Sequence, residues 1–203
     1  DRGQVKQGFP LQVTKVSYQN LTTSEWISHG FASDVLLDDL NADGSNEIVL
    51  AGLDGKIHVY LGDGKPFFGF PVDISHAGHK GKLIAKPAVA DLNGDGTKDI
   101  VVGSQIVVEN HALLFAVNGF GESAPDVYLP GFPVQIPIVG AVSIPFVGQG
   151  IVHPPVVVYS KENEPSIYVR GFVGDVFEVS PRGDLIRRFS ATMGDGGEQK
   201  NNL

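Results

Sequence analysis

Asp39-Leu40-Asn41-Ala42-Asp43-Gly44-Ser45-Asn46-Glu47 recurs as Asp91-Leu92-Asn93-Gly94-Asp95-Gly96-Thr97-Lys98-Asp99. Both stretches carry oxygen-bearing side chains at positions one, three, five and nine, with glycine at six. Hard divalent cations take about six to eight oxygen ligands, and a short loop whose alternate side chains converge can supply them, glycine permitting the sharp turn. The pattern therefore reads as two calcium loops. Asp39, Asn41, Asp43 and Glu47 would ligate through side chains in the first, and Asp91, Asn93, Asp95 and Asp99 in the second. Ser45 and Thr97, at position seven, would each give a backbone carbonyl. Calcium suits a flexible cage made only of protein oxygens, whereas magnesium keeps several waters. The alternative is an ordinary hairpin turn, because Asp, Asn and Gly favour turns without any metal.

An EF-hand requires a bidentate glutamate at position twelve, and that place holds Leu50 in one copy and Val102 in the other. The flanks are short apolar runs of β type: Asp34-Val35-Leu36-Leu37 and Ile48-Val49-Leu50-Ala51 around the first loop, Pro87-Ala88-Val89-Ala90 and Ile100-Val101-Val102-Gly103 around the second. Each loop should join two strands of a hairpin.

A longer period encloses the loops. Gly-Phe-Pro occurs at Gly8-Phe9-Pro10, Gly69-Phe70-Pro71 and Gly131-Phe132-Pro133, spaced by 61 and then 62 residues. A near-constant period marks repeated supersecondary units that bury apolar faces against one another. Each unit should hold four short strands: one before the loop, one after it, one at Ile57-His58-Val59-Tyr60-Leu61 or Ala112 to Val117, and one after Gly-Phe-Pro. In a degraded third unit, Val156-Val157-Val158-Tyr159 is expected where Ile100-Val101-Val102 stands, and Gly174 to Ser180 should track Gly55 to Leu61. Its first hairpin, taken as Ser143 to Gly150, has no carboxylates and is expected to hold no metal. The expected organisation is one repeat domain over 1–190, with units near 11–74, 75–136 and 137–190, a leading strand at 8–14, and a flexible tail at 191–203.

Four-stranded antiparallel units with this turn-rich period read as β-propeller blades, making an all-β chain of about three blades, a partial propeller. The Asp-x-Asn-x-Asp-Gly-x-x-Asp/Glu hairpins are similar to those of the FG-GAP/VCBS repeat family, the blades of integrin α-subunit heads and of many secreted bacterial proteins. The resemblance runs from about Gly8 to Phe189 and is specific in the first two units. It implies calcium at both hairpins. Gly-Phe-Pro in place of the integrin-type Phe-Gly and Gly-Ala-Pro signature points to the bacterial, VCBS-like branch.

Composition bounds the rest. The 203 residues are 42% hydrophobic and carry a net charge of −8, enough apolar content for a core and the wrong sign for a phosphate-binding face. No run approaches the roughly 18 apolar residues of a membrane span. The absence of cysteine removes disulfides and thiol nucleophiles. Calcium loops of low affinity work where the ion is millimolar, so a secreted or cell-surface location is expected. Asp1 in place of methionine suggests a processed product or a fragment, and an arc of about three blades falls short of the four to eight that close a ring. Self-association or a companion fragment is expected to close the propeller, with a protein or glycan as the functional partner.

Other features read as structural. Arg182-Gly183-Asp184 is an adhesion tripeptide but also ordinary turn chemistry. His76 and His79 lack a third zinc ligand, and His29, His58, His111 and His153 are scattered. Asn20-Leu21-Thr22 is a glycosylation sequon, and Trp26, Tyr60, Phe67 and Phe68 are aromatics that either pack between blades or form a platform. The expected function is a calcium-binding scaffold or binding module of an extracellular protein. The alternatives are a part of a propeller-type polysaccharide lyase, for which no catalytic constellation is visible, and a lectin.

Overall fold

The computed structural model describes residues 4–11, 30–76, 78–108, 111–137, 150–171 and 174–190. The sequon, Trp26, His29, Ser143 to Gln149, the tail from 191 and residues 12–14 of the expected leading strand lie outside them.

Among the described residues, three four-stranded antiparallel sheets and one two-stranded hairpin make up the fold. The first is β1 (Leu36–Asp38), β2 (Glu47–Ala51), β3 (Lys56–Tyr60) and β4 (Val72–Asp73), paired in chain order. A two-stranded hairpin, β5 (Ser75–His76) and β6 (His79–Lys80), leads on to the second sheet. That sheet is β7 (Ala88–Ala90), β8 (Asp99–Val108), β9 (His111–Val117) and β10 (Val134–Pro137), again a meander. The third holds β11 (Val156–Tyr159), β12 (Pro165–Arg170), β13 (Val176–Val179) and β14 (Leu185–Phe189). Among the described residues the only helical turn is a 3-10 turn at Gly121–Ser123. These are propeller-like blades.

The hydrophobic patterning explains the stacking. Val49, Ala51, Ile57 and Val59 of the first sheet pack with Ile100, Val102, Leu113, Phe115 and Val117 of the second in one core. The opposite face of the second sheet, with Val101, Ala112, Leu114 and Ala116, packs with Ile167, Val169, Phe177 and Val179 of the third. From Ala112 to Val117 every residue of β9 is buried, because this strand is apolar on both faces and lies between two neighbours. By contrast β14 is exposed along most of its length, as an edge strand should be.

The three Gly-Phe-Pro turns are alike in backbone. Each glycine has a positive φ (+89°, +82° and +86°) and each Phe-Pro bond is cis. A Cβ on Gly8, Gly69 or Gly131 would run into the backbone oxygen of Asp63, Phe120 or Arg182 respectively. In every case that oxygen belongs to the β3–β4-type turn of the following sheet, so glycine sets the spacing between blades. Phe70 and Phe132 then enter the first and second cores.

The third blade corrects one expectation. Val156–Tyr159 is the first strand of its sheet, not the second, and Pro165–Arg170 is the second. Gly174 to Ser180 holds the third strand, as expected. A β-branched run does not reveal its rank within a blade, but the glycine turn does. Gly52 N–H to Lys56 C=O (2.8 Å) and Gly55 N–H to Gly52 C=O (3.1 Å) recur as Gly171 to Asp175 (2.8 Å) and Gly174 to Gly171 (3.2 Å). Among the described residues, the hairpin standing where the acidic loops stand is therefore Ser160 to Glu164, which carries Glu162 and Glu164.

Candidate metal centres

Both acidic loops connect the first two strands of a blade, and their ninth residues open β2 and β8. Glu47 pairs across the ladder with Asp38, and Asp99 with Ala90. This register fixes the two ends of each loop side by side.

Inside the first loop the Asp39 carboxylate accepts from Asp43 N–H (3.1 Å) and Gly44 N–H (2.8 Å). Asn41 Oδ1 accepts from Asp43 N–H (3.1 Å), and Asp43 Oδ1 from Ser45 N–H (2.8 Å). The second loop repeats this. Asp91 accepts from Gly94 (2.7 Å), Asp95 (3.2 Å) and Gly96 (2.9 Å), Asn93 from Asp95 (2.9 Å), and Asp95 from Thr97 (2.8 Å). Asn41 and Asn93 also donate to Asp43 Oδ2 (3.0 Å) and Asp95 Oδ2 (2.8 Å). Each loop is thus pre-shaped by its own side chains. Among the described residues, no three acidic or histidine groups stand together as a ready-made metal cluster.

Position nine differs from the others. Glu47 and Asp99 are 0% exposed. One oxygen of each accepts from a backbone N–H, Leu40 to Glu47 Oε2 and Leu92 to Asp99 Oδ2, both at 3.0 Å. The other oxygens, Glu47 Oε1 and Asp99 Oδ1, are buried without a hydrogen bond. Burial raises the Glu47 pKa against the pull of the Leu40 N–H, and the charges of Asp43 and Asp39 add to the rise. Burial likewise raises Asp99 to about 6, opposed by the Leu92 N–H and reinforced by Asp95. The Gly119 N–H also lowers it, without meeting hydrogen-bond geometry. A buried carboxylate with a free oxygen and no paired cation is what an oxygen-ligated divalent ion would relieve, so the residues fit calcium. On the rim, Asn41 and the Ser45 N–H lower Asp43. Burial acts to raise Asp95, but Thr97 and Asn93 outweigh it and leave the pKa lowered.

The segment that contains both loops, residues 39–102, matches the family model of the FG-GAP-like repeat. No curated protein matches the chain. Among solved structures, a protein of unknown function from Bacteroides caccae is similar at 14% identity, with a TM-score of 0.42 over 79% of this chain and 46% of that one. BBS1N, solved in complex with ARL6DN and soaked with lead, is similar at 14% identity, with a TM-score of 0.37 over 79% of this chain and 54% of that one. The chain spans about half the length of these structures.

The repeat spans the interface between two blades, and there it makes contacts that the sequence pattern does not announce. Lys98, at position eight of the second loop, donates its N–H to Leu40 C=O (2.8 Å) and its Nζ to Asp38 Oδ1 (2.5 Å). Beyond the matched segment, the five-residue hairpin Ser160 to Glu164 carries its lysine, Lys161, exposed. A cleft of about 860 Å³ opens there, lined in part by Asp91, Asn93, Tyr159, Glu164 and Arg182.

Arg182-Gly183-Asp184 forms the turn before β14, with Gly183 against Gly131 and Ser180 Oγ bonded to the Asp184 carboxylate (3.0 Å). The Asp184 carboxylate is thereby engaged in its own turn. His76 and His79 are Cα partners in the β5–β6 hairpin. Tyr60 stacks with His58 and Phe67 packs against the first core, while Phe68 is exposed. His58 is buried beside Asp54 (3.0 Å), a pair four residues apart that the sequence reading missed although its spacing was visible.

Proposed function

We propose that the chain is a calcium-binding β-propeller module, a binding or scaffold segment of a larger or multi-chain secreted or surface protein. The observation that carries this reading is the unpartnered, buried carboxylate oxygen at position nine of both loops. Two independent hairpins with the same defect are hard to explain as plain turns, because each defect costs about 1–3 kcal/mol unless something satisfies it.

In this reading Asp39, Asn41, Asp43 and Glu47, with the Ser45 carbonyl, hold one ion. Asp91, Asn93, Asp95 and Asp99, with the Thr97 carbonyl, hold the other. The ion supplies positive charge that ties the first and second strands of a blade together. Binding then adds to folding stability as RT ln(1 + [Ca²⁺]/Kd) for each site. Three carboxylates per loop favour occupancy at millimolar calcium, the extracellular regime.

Thermal melting in millimolar calcium and in excess chelator tests this. The intact chain should melt several degrees higher with calcium. Asp43→Ala and Asp95→Ala should each remove a large part of that gain while leaving the chelator melting point nearly unchanged. An unchanged melting point on adding calcium would return both loops to metal-free turns.

A further inference from the structure

We propose that the first metal loop is completed by the second blade, with Lys98 and Asp38 as positioning residues, so that the two calcium ions bind with positive coupling. The inference rests on the calcium reading and goes beyond it. Nothing in the nine-residue pattern links one loop to the other.

The link is a short chain of bonds. Glu47 Oε2 accepts from the Leu40 N–H (3.0 Å), and the carbonyl of Leu40 accepts from the Lys98 N–H (2.8 Å). Lys98 is joined by one peptide bond to Asp99, the ninth residue of the second loop. The last ligand of the first site is therefore connected to the last ligand of the second through the Leu40 and Lys98 backbones alone.

A side-chain strut runs parallel to it. Lys98 Nζ bonds to Asp38 Oδ1 (2.5 Å), and the same oxygen accepts from the N–H of Asp39, the first ligand (2.9 Å). This ion pair is part-buried, with Lys98 38% and Asp38 33% exposed, so solvent screens it only in part. Lys98 also offsets the Asp38 charge, which would otherwise pull on the loop N–H groups beside it.

The two loops are not equivalent in this respect. The residue at Lys98's position in the first loop is the exposed Asn46, and the residue at Asp38's position before the second loop is Ala90. The third blade, with its shorter hairpin, leaves a cleft where a third loop would reach the second. Loop one is thus hydrogen-bonded to loop two, whereas loop two meets the third blade through the apolar packing of Leu92, with no corresponding lysine strut among the described residues. Calcium in the second loop would fix Thr97 and Asp99, and with them the Lys98 peptide between. The first loop would then have less to order when its own ion arrives. Thermodynamic reciprocity requires the first ion to help the second by the same factor.

Calorimetric titration with Ca²⁺ alone tests the coupling. The product of the two stepwise association constants of the intact chain is compared with the product of the single constants from Asp43→Ala and Asp95→Ala. The expected ratio is about fivefold or more. Lys98→Met and Asp38→Asn should each bring it toward one, while a purely structural role would lower the chelator melting point and leave the ratio unchanged. Asp43→Asn and Asp95→Asn replace the alanine variants if those do not fold. Two ions with a ratio of one would overturn the coupling and leave the calcium reading standing. A ratio untouched by Lys98→Met would overturn the role of Lys98. No calcium binding at all would overturn the calcium reading together with the coupling.

Discussion

At the scale of single residues the informative group is Asp99, whose burial raises its pKa from 3.8 to about 6. The folded chain holds this proton more tightly than the unfolded chain does. Protonated Asp99 therefore favours the fold fully below about pH 4, and the contribution fades as pH rises from there through about 6. Keeping the group ionised at neutral pH opposes folding by on the order of 3 kcal/mol, at 1.36 kcal/mol per unit. In chelator, the Asp99 contribution should make the chain melt higher at pH 5 than at pH 7.5, and Asp99→Asn should remove most of that difference. In calcium the slope should reverse, because protons compete with the ion for the same oxygen. Equal pH profiles for Asp99→Asn and the intact chain in chelator would show that Asp99 is not the buried acid. The sequence marked Asp99 as an expected ligand from its place in a nine-residue pattern. It could not reveal that the residue is fully enclosed, because enclosure comes from the core beneath β8.

At the scale of elements, the Gly-Phe-Pro turn makes a sharp contrast between two kinds of glycine. Gly69 has φ +82° and a Cβ there would meet the Phe120 carbonyl of the next blade, whereas Gly78 has φ +79° and open space around it. Gly78→Ala should destabilise by about 1 kcal/mol, the backbone effect alone. Gly69→Ala should cost about 2–4 kcal/mol, since the neighbouring turn must also move. Denaturant midpoints of the two variants measure the difference, and equal losses would mean that blade spacing does not depend on this contact. The turn itself was legible as a threefold sequence repeat. Its partner was not, because the β3–β4-type turns it abuts are Gly62-Asp63-Gly64, Gly119-Phe120-Gly121 and Pro181-Arg182-Gly183, too varied to read as one motif. The same limit explains the misplaced strand of the third blade. Val156-Val157-Val158-Tyr159 has strong β character and no positional mark, and the acidic loop that would have ranked it has shrunk to Ser160 to Glu164.

For the described residues as a whole, the two interfaces between sheets are lined by apolar side chains, while the far side of the third sheet is exposed. Val156 and Val158 are 54% and 48% exposed there, and Tyr168 pairs with Val156 on that face. The first two sheets each bury the corresponding face under the next blade. We expect the isolated chain to associate through this surface, giving a scattering mass above 21.6 kDa that Val158→Asp returns to the monomer value. A monomer at all concentrations would overturn self-association through this surface. Glu178 and Arg187, paired at 2.7 Å on the same sheet, set a polar border to the patch.

The sequence by itself determined the strands, the hairpin loops and the repeat, because turn chemistry and alternating apolar residues act over fewer than ten positions and leave a local mark. Only the tertiary structure decided which faces meet, that Glu47 and Asp99 are sealed from solvent, and that Lys98 reaches Asp38 across sixty positions of chain. Those outcomes depend on how one blade is set against the next, and the packing that sets it is a sum of contacts between residues that no short pattern brings together.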